Sequence, residues 1–367
     1  MPKWSDFGNI WTTMREIDIS AIREEAERPL TIVCVGHGPS LDEIDRLLNQ
    51  GNERYPATWP SPLQLIPLAG AAERGSSMAG ADMALFAVDA HAPLSPAQVA
   101  SFGRLEALTI PFAIVLLNGD QLPDGEAFRS PLIRSRTVMI ADPQALDAAD
   151  RLATAVLARL PSELHLAAAR RLPGLRPIVA RDLIGSVSFT NATYALASGL
   201  PEQIPIVSVP FAAADIIVLT KNQAILVYRL ALAYGAPPDF QGRIREVIPV
   251  VGGAFLWRQA ARSLIGLIPI WGLLPKVAIA YAGTYTTGVA AWRWFESGEL
   301  VSTDQLKRIS SDAMALGRAR AAELIERARA ARDQAVARSR GGDGFLNKLK
   351  NRLPFRRKPP ELTPPKQ

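Results

Sequence analysis

The sequence predicts an α/β N-terminal domain with a mostly parallel sheet, joined to an all-α hydrophobic C-terminal domain. Three observations carry that reading. Between Leu30 and about Leu160, short β-branched apolar runs alternate with helical stretches, the pattern of strands covered on both faces. After Pro161 strand signals stop, and charge-free runs rich in Ala, Leu, Gly and Pro lengthen. Charge is also segregated: residues 301–367 hold 16 Lys+Arg against 7 Asp+Glu, whereas the residues before them hold 25 against 28.

Residues 1–29 form N-terminal amphipathic helices. Trp4, Phe7, Trp11 and Met14 share one helical stripe, and a second helix over Ile19–Arg28 stops at Pro29. The α/β domain covers residues 30–160, with strands at Leu30–Val35, Leu63–Leu68, Met83–Asp89, Pro111–Leu117 and Thr137–Ala141. Helices are predicted over Ser40–Gln50, Ser95–Leu108 and Pro143–Leu160. A hydrophobic helical domain fills residues 161–300. A long Ala/Arg-rich helix, Thr303–Ser339, dominates residues 301–340 and is expected to break at Gly341-Gly342-Asp343-Gly344. Residues 341–367 combine a basic amphipathic segment, Phe345–Lys358, with a Pro-rich end expected to be disordered.

Composition excludes several classes. The chain has 367 residues, of which 48% are hydrophobic, enough to bury a core over most of its length. A single cysteine, Cys34, rules out a disulfide scaffold, and three histidines with no ligand spacing leave no zinc-type cluster. Residues 1–28 mix charge throughout and lack an apolar core, so no secretory signal is expected and the chain is expected to start in the cytoplasm.

A strand running into Gly36-His37-Gly38-Pro39 and then a helix is where a phosphate-binding loop belongs. Counting the Walker spacing from Gly36, the second glycine is Leu41, the lysine is Asp42 and the hydroxyl is Glu43. Two carboxylates stand where a cation and a metal ligand are needed. Ser40-Leu41-Asp42-Glu43 instead matches a capping box, with Ser40 as cap, Glu43 reaching back, and the acids complementing the helix dipole. His37 beside Cys34, and the isolated His91 and His165, give no catalytic pair, because Cys34 sits in a strand where a thiol behaves as a small hydrophobe. No catalytic residue and no metal ligand is assigned.

This layout resembles an Era-like small GTPase domain, in the lineage where that domain precedes a GTPase-associated hydrophobic helical domain, the YcjF-like family. Gly36 follows the first strand as in the family's phosphate loop. Pro67-Leu68-Ala69-Gly70 looks like its D-x-x-G element, with Pro67 in place of the Mg²⁺-linked aspartate. Ala81–Ala90 is similar to its central strand. Asn118-Gly119-Asp120 looks like the N-K-x-D guanine motif with the lysine replaced and the aspartate one residue early. Ile140-Ala141-Asp142 takes the place of the last base-contacting loop. The resemblance implies a P-loop GTPase-like fold and a vestigial nucleotide site at Gly36, Gly38, Ser40, Asn118 and Asp120. Every chemical motif is altered, so it implies a pseudo-GTPase with no cofactor, GTP being the one nucleotide such a remnant would take.

The apolar residues concentrate in the second half. Leu183–Pro201 is interrupted by Ser186, Ser188, Thr190, Asn191, Thr193 and Ser198, whereas Ser263–Trp292 carries one charge, Lys276. The latter fits a hairpin of two short helices, turning at Pro269, Gly272 and Pro275. Trp257, Trp271, Trp292 and Trp294 end the apolar runs, as an interfacial belt would place them. Ala278, Ala282, Thr284 and Gly288 permit close helix contact. Membrane embedding and a soluble helical core both accommodate these runs. Asp215, Lys221, Asn222, Gln223 and Arg229 form a polar island, either the solvated start of a helix or a buried functional network. Pro249, Gly252 and Gly253, the segment Ala280–Gly288, Leu219–Gln223 and Tyr228–Gly235 are similar to the YcjF-like family, which implies association with the inner membrane.

At the basic end, Phe345, Leu349 and Leu353 recur among Lys348, Lys350, Arg352, Arg356, Arg357 and Lys358, a cationic amphipathic helix suited to anionic lipid headgroups. No stacking platform accompanies this charge, so nucleic acid is not the expected partner; a protein partner or self-association remains open. The leading expectation is a membrane-associated pseudo-GTPase-like scaffold or regulator on the cytoplasmic side of the cell membrane. The alternatives are an active GTPase with atypical motifs and a soluble helical interaction protein in the cytoplasm.

Overall fold

The computed structural model describes residues 18–51, 59–68, 80–92, 109–124, 126–198, 208–237 and 273–350. The stripe Trp4–Met14, the helix Ser95–Leu108, Trp257, Trp271, Pro269, Gly272, Arg352, Arg356 and Arg357 lie outside the described residues.

Strands β1 (Ile32–Gly36), β2 (Leu63–Pro67), β3 (Met83–Asp89), β4 (Phe112–Leu117) and β5 (Thr137–Ile140) form one five-stranded sheet. Its order is β2-β1-β3-β4-β5 and every pairing is parallel. Alternate residues go to opposite faces. Val33, Val35, Phe86, Val88, Ile114 and Leu116 pack with Phe128 and Ile133 on one side. Cys34, Met83, Leu85, Ala113 and Val115 face helix α2 (Gly38–Asn49) and helix α4 (Ala148–Leu157) on the other. Helices α1 (Ser20–Glu27) and α3 (Pro131–Arg136) flank this layer.

From Pro161 onward the described backbone is helical: α5 (His165–Arg171), α6 (Arg176–Ala197), α7 (Ser208–Ala233), α8 (Leu273–Ser297) and α9 (Thr303–Lys350). The core does not stop at that border. One apolar cluster runs from Ile32 and Ile44 through Leu152 and Leu172 to Ile184, Leu230 and Phe295. The joint is the turn Pro173–Leu175, where a Cβ on Gly174 would stand 2.3 Å from the Leu47 carbonyl oxygen. Only glycine lets the turn approach the end of α2 so closely.

Helix α8 crosses α6 and α9. Val277, Ala278 and Tyr281 pack with Ala192 and Leu196 of α6 and with Ala321 and Leu324 of α9. On α9 the buried positions are Ala313, Gly317, Ala321 and Leu324. They recur at i, i+4, i+8 and i+11, close to the period of a straight helix, and small residues hold the first three positions, which lets the backbones meet. A Cβ on Gly317 would lie 2.7 Å from the Ala278 carbonyl oxygen.

Three expectations are corrected. The glycine run at 341–344 does not break α9, which continues to Lys350. Pro275 is no hairpin turn; it lies in the first turn of the 25-residue helix α8, where its missing N–H costs nothing. The helix expected from Pro143 begins at Ala148, because Asp142 folds residues 142–145 into a turn by accepting the Gln144 amide at 2.8 Å.

Candidate functional site

In an open parallel sheet, ligands bind beyond the carboxyl ends of the strands, where the strand order reverses. Here that place lies between β1 and β3. The topology gathers Gly36, His37 and Gly38 after β1, Asp89, Ala90 and His91 after β3, Asn118, Gly119 and Asp120 after β4, and Asp142 after β5. Gly36, Gly38, Asn118 and Asp120, which the sequence resemblance reads as a vestigial nucleotide site, therefore share one edge.

The junction between β1 and α2 is a single residue, His37. Gly36 is needed by the sheet itself: a Cβ there would lie 2.7 Å from Ala87 Cβ and 2.9 Å from Ala87 O. Gly38 opens α2 and has nothing within 4 Å of its Cβ position. The capping-box reading of Ser40 is corrected. Pro39, with φ already set for a helix, starts α2 ahead of it; His37 holds the cap position without a side-chain bond, and Ser40 is buried in the first turn. Asp42 and Glu43 consequently fall beyond the first turn. The Glu43 carboxylate bonds Arg46 and accepts from Gln144 Nε2 at 3.1 Å, tying α2 to the loop after β5.

The far side of the edge is equally occupied. Asn118 adopts φ 61°, a left-handed conformation that Asn tolerates, and donates its amide to Ile140 O at 2.9 Å. A Cβ on Gly119 would stand 2.4 Å from Ala90 Cβ. Asp89 accepts from the His91 amide at 2.9 Å, and Asp142 caps its own turn. Asp120 is exposed. Among the described residues, the segments that end or follow β3, β4 and β5 supply Asp89, Asp120 and Asp142, and Arg46 of α2 reaches the loop after β5, where it donates to the Pro143 carbonyl at 2.8 Å. No group of three metal-ligating side chains occurs among the described residues. Cys34 is buried, and burial pushes its thiol up to about 12, so it is a core residue and not a nucleophile.

The polar island divides in two. Lys221 is exposed, and Arg229 pairs with Glu25 of α1 at 2.7 Å. The side chain of Asp215 is not described. Asn222 and Gln223 join a buried network with two residues that sequence reasoning did not assign to it. Asn222 Nδ2 donates to Asn191 Oδ1 at 2.7 Å, and Asn191 Nδ2 donates to Thr284 Oγ1 at 2.8 Å. Gln223 Nε2 reaches the same hydroxyl at 3.3 Å, and Thr284 passes its own proton to Ala280 O at 2.9 Å. The network stitches α6, α7 and α8 together. Its signal in the sequence was Asn191, the one amide in the charge-free run Leu183–Pro201.

Three arginines that the sequence did not single out are also buried, away from this network. Arg170 donates to Leu232 O and Ala236 O at 3.0 and 2.8 Å, at the end of α7. Arg171 donates to Arg28 O and Glu27 O at 2.6 and 3.0 Å, at the end of α1, and lies over the Trp59 ring. Arg176 donates to Ala169 O at 3.2 Å and sits over Tyr234; burial pulls its guanidinium down to about 10, which leaves it charged at neutral pH. Each cation meets the negative end of a helix.

Trp292 and Trp294 are partly buried against the shared core, and the Trp292 indole bonds the Tyr234 hydroxyl. Burial raises the pKa of Tyr234 and, half-buried beside both, that of Glu296. Lys348 and Lys350 lie on the last turn of α9. No described helix is long and apolar enough to cross a membrane. No protein-family model matches this chain, and neither a curated protein nor a solved structure matches it.

Proposed function

We propose that this protein is a pseudo-GTPase-like scaffold or regulator, held at the cytoplasmic side of the cell membrane and not turning over nucleotide. One observation carries the reading: the β1–α2 junction is a single residue, with Gly36 filled from behind by Ala87. A phosphate cradle needs a loop long enough to wrap its backbone N–H groups around the anion. Here the strand passes almost directly into the helix, and acids line the edge where a triphosphate would lie. The P-loop GTPase-like reading of the sheet rests on the residue resemblance, since the strand order β2-β1-β3-β4-β5 also serves other doubly wound folds. The membrane reading rests on the basic end of the chain and on the YcjF-like similarity of residues 180–300.

The test is titration of the full chain with a fluorescent guanine nucleotide and Mg²⁺. The full chain is required because the α/β layer shares its core with the helices. No saturable binding is expected below about 100 μM; affinity tighter than about 1 μM, some 8 kcal/mol, defeats the reading. One observation favours the second reading, a GTP-binding protein with atypical motifs: Asn118 keeps a strained left-handed backbone at the guanine-motif position.

A further inference from the structure

Helix α9 is 48 residues long, and among the described residues the bundle contacts are made by its first part. Its seam packs through Leu324, with Ile325 and Ala328 partly buried; from there Arg329, Ala330, Ala331, Asp333 and Gln334 are exposed. The remaining helix, residues 329–350, spans roughly 33 Å. In sequence the same helical face runs on through Ala331, Ala335, Gly342, Leu346 and Leu349, interrupted once at Arg338-Ser339. It carries six Lys+Arg, among them Arg338, Arg340, Lys348 and Lys350, against Asp333 and Asp343.

We propose that residues 329–350 of α9 are a docking arm for an anionic lipid surface, and that attachment through it is peripheral and electrostatic. The proposal deepens the membrane part of the function above and rests on it. Charge selects the occupant: a helix with an apolar stripe and a basic excess lies in the headgroup plane of an anionic bilayer. Glycines at 341, 342 and 344 make this stretch weak as an isolated helix, so a surface that orders it adds stability the bundle does not supply. Of the expected interfacial belt, the two described indoles, Trp292 and Trp294, are engaged with the core.

The experiment is co-sedimentation of the full chain with phosphatidylcholine vesicles, with and without phosphatidylglycerol. The comparison is a variant carrying Arg338→Glu, Arg340→Glu, Lys348→Glu and Lys350→Glu, its fold checked by an unchanged melting temperature. Expected is binding to the anionic vesicles alone. It should weaken by at least about a hundredfold in the variant, and likewise between about 0.1 and about 1 M salt, where the screening length shrinks to about 3 Å. Equal binding by the variant overturns the proposal. So does salt-resistant binding to phosphatidylcholine alone, which indicates embedding through another segment. Failure to bind vesicles, with arm-dependent binding to duplex DNA or RNA, overturns it in favour of a nucleic acid. The guanine-nucleotide titration on the same samples is independent of the arm, so failure of the non-catalytic reading is seen separately.

Discussion

Substituting Gly36 by Ala separates a packing glycine from a phosphate-loop glycine. The added Cβ would sit 2.7 Å from Ala87 Cβ and 2.9 Å from Ala87 O, against about 3.5–4.0 Å for relaxed carbon contacts. The obstructing atoms belong to β3, which is fixed on its other side by β4, so no side chain can rotate away. Widening the β1–β3 pairing is the only relief. Overpacking of this kind costs about 1–3 kcal/mol, and a cost near the middle of that range lowers Tm by roughly 2–4 °C for a chain of 367 residues. Gly38→Ala is the control, because its Cβ meets nothing within 4 Å and alanine is the better helix former. Thermal unfolding followed by far-UV circular dichroism, with nucleotide titration on each variant, reads both effects. Gly36→Ala should melt early and Gly38→Ala should melt at or slightly above the parent temperature, neither affecting nucleotide binding. A Gly36→Ala protein with unchanged Tm, or either variant with altered nucleotide affinity, refutes the reasoning.

Asn191→Ala removes two buried hydrogen bonds and strands the Asn222 amide, which should cost about 2–4 kcal/mol in urea unfolding. Combined with Thr284→Val, the loss should fall short of the sum by about 1 kcal/mol or more, and strict additivity would show that the network is not coupled. Gly317→Ala sets a Cβ 2.7 Å from the Ala278 carbonyl, so amide exchange in α9 should quicken while the sheet keeps its protection; uniform protection argues against the seam. Burial raises the pKa of Glu296 above its ordinary 4.5, so the ionised form is the penalised one. The penalty is absent below about pH 4.5 and grows as the pH rises through the folded value. Glu296→Gln should therefore raise Tm at pH 7 and leave it unchanged near pH 4; a gain at acid pH alone contradicts that sign.

The strands were legible because their signal is local. Met83–Asp89 is bounded by turn residues and apolar up to its final Asp89, and it forms over the residues read from the sequence. The start of α2 was misread because two local rules compete there: the S-x-x-E spacing favours Ser40 as cap, and Gly38-Pro39 starts the helix earlier. The α9 seam was missed for a different reason. A search for large apolar residues finds Leu306, Ile309, Met314, Leu316, Leu324 and Ile325, of which Leu324 packs in the seam with Met314 and Ile325 against it, whereas the closest approach to α8 is made at Gly317 and Ala321. Small residues carry little periodic hydrophobicity, yet they set how near two backbones come. The buried arginines were the least legible, since their partners are backbone carbonyls of α1 and α7, distant in sequence from Arg170 and Arg171. A carbonyl at a helix end leaves no mark in a side-chain pattern.

The same arginines bear on how such a protein could act. A nucleotide switch works by letting a segment order and release around a phosphate, which requires part of the fold to sit near the low end of local stability. In this chain the layer that would do so is tied down from several sides. Arg171 holds the end of α1, Arg170 holds the end of α7, Arg46 and Glu43 hold the loop after β5, and Gly174 seats the joint against α2. The guanidinium groups of Arg170 and Arg171 have exchanged their hydration for helix-end carbonyls, so releasing either exposes a buried cation and orphaned acceptors together, a cost of a few kcal/mol per event. A ligand that moved α1 or the β5 loop would have to supply that difference between its two states. An edge carrying three carboxylates and a one-residue β1–α2 junction offers a triphosphate little with which to do so. A fixed body favours constitutive holding over switching. Any regulation then falls to the end of α9, the part of the described fold that leaves the bundle.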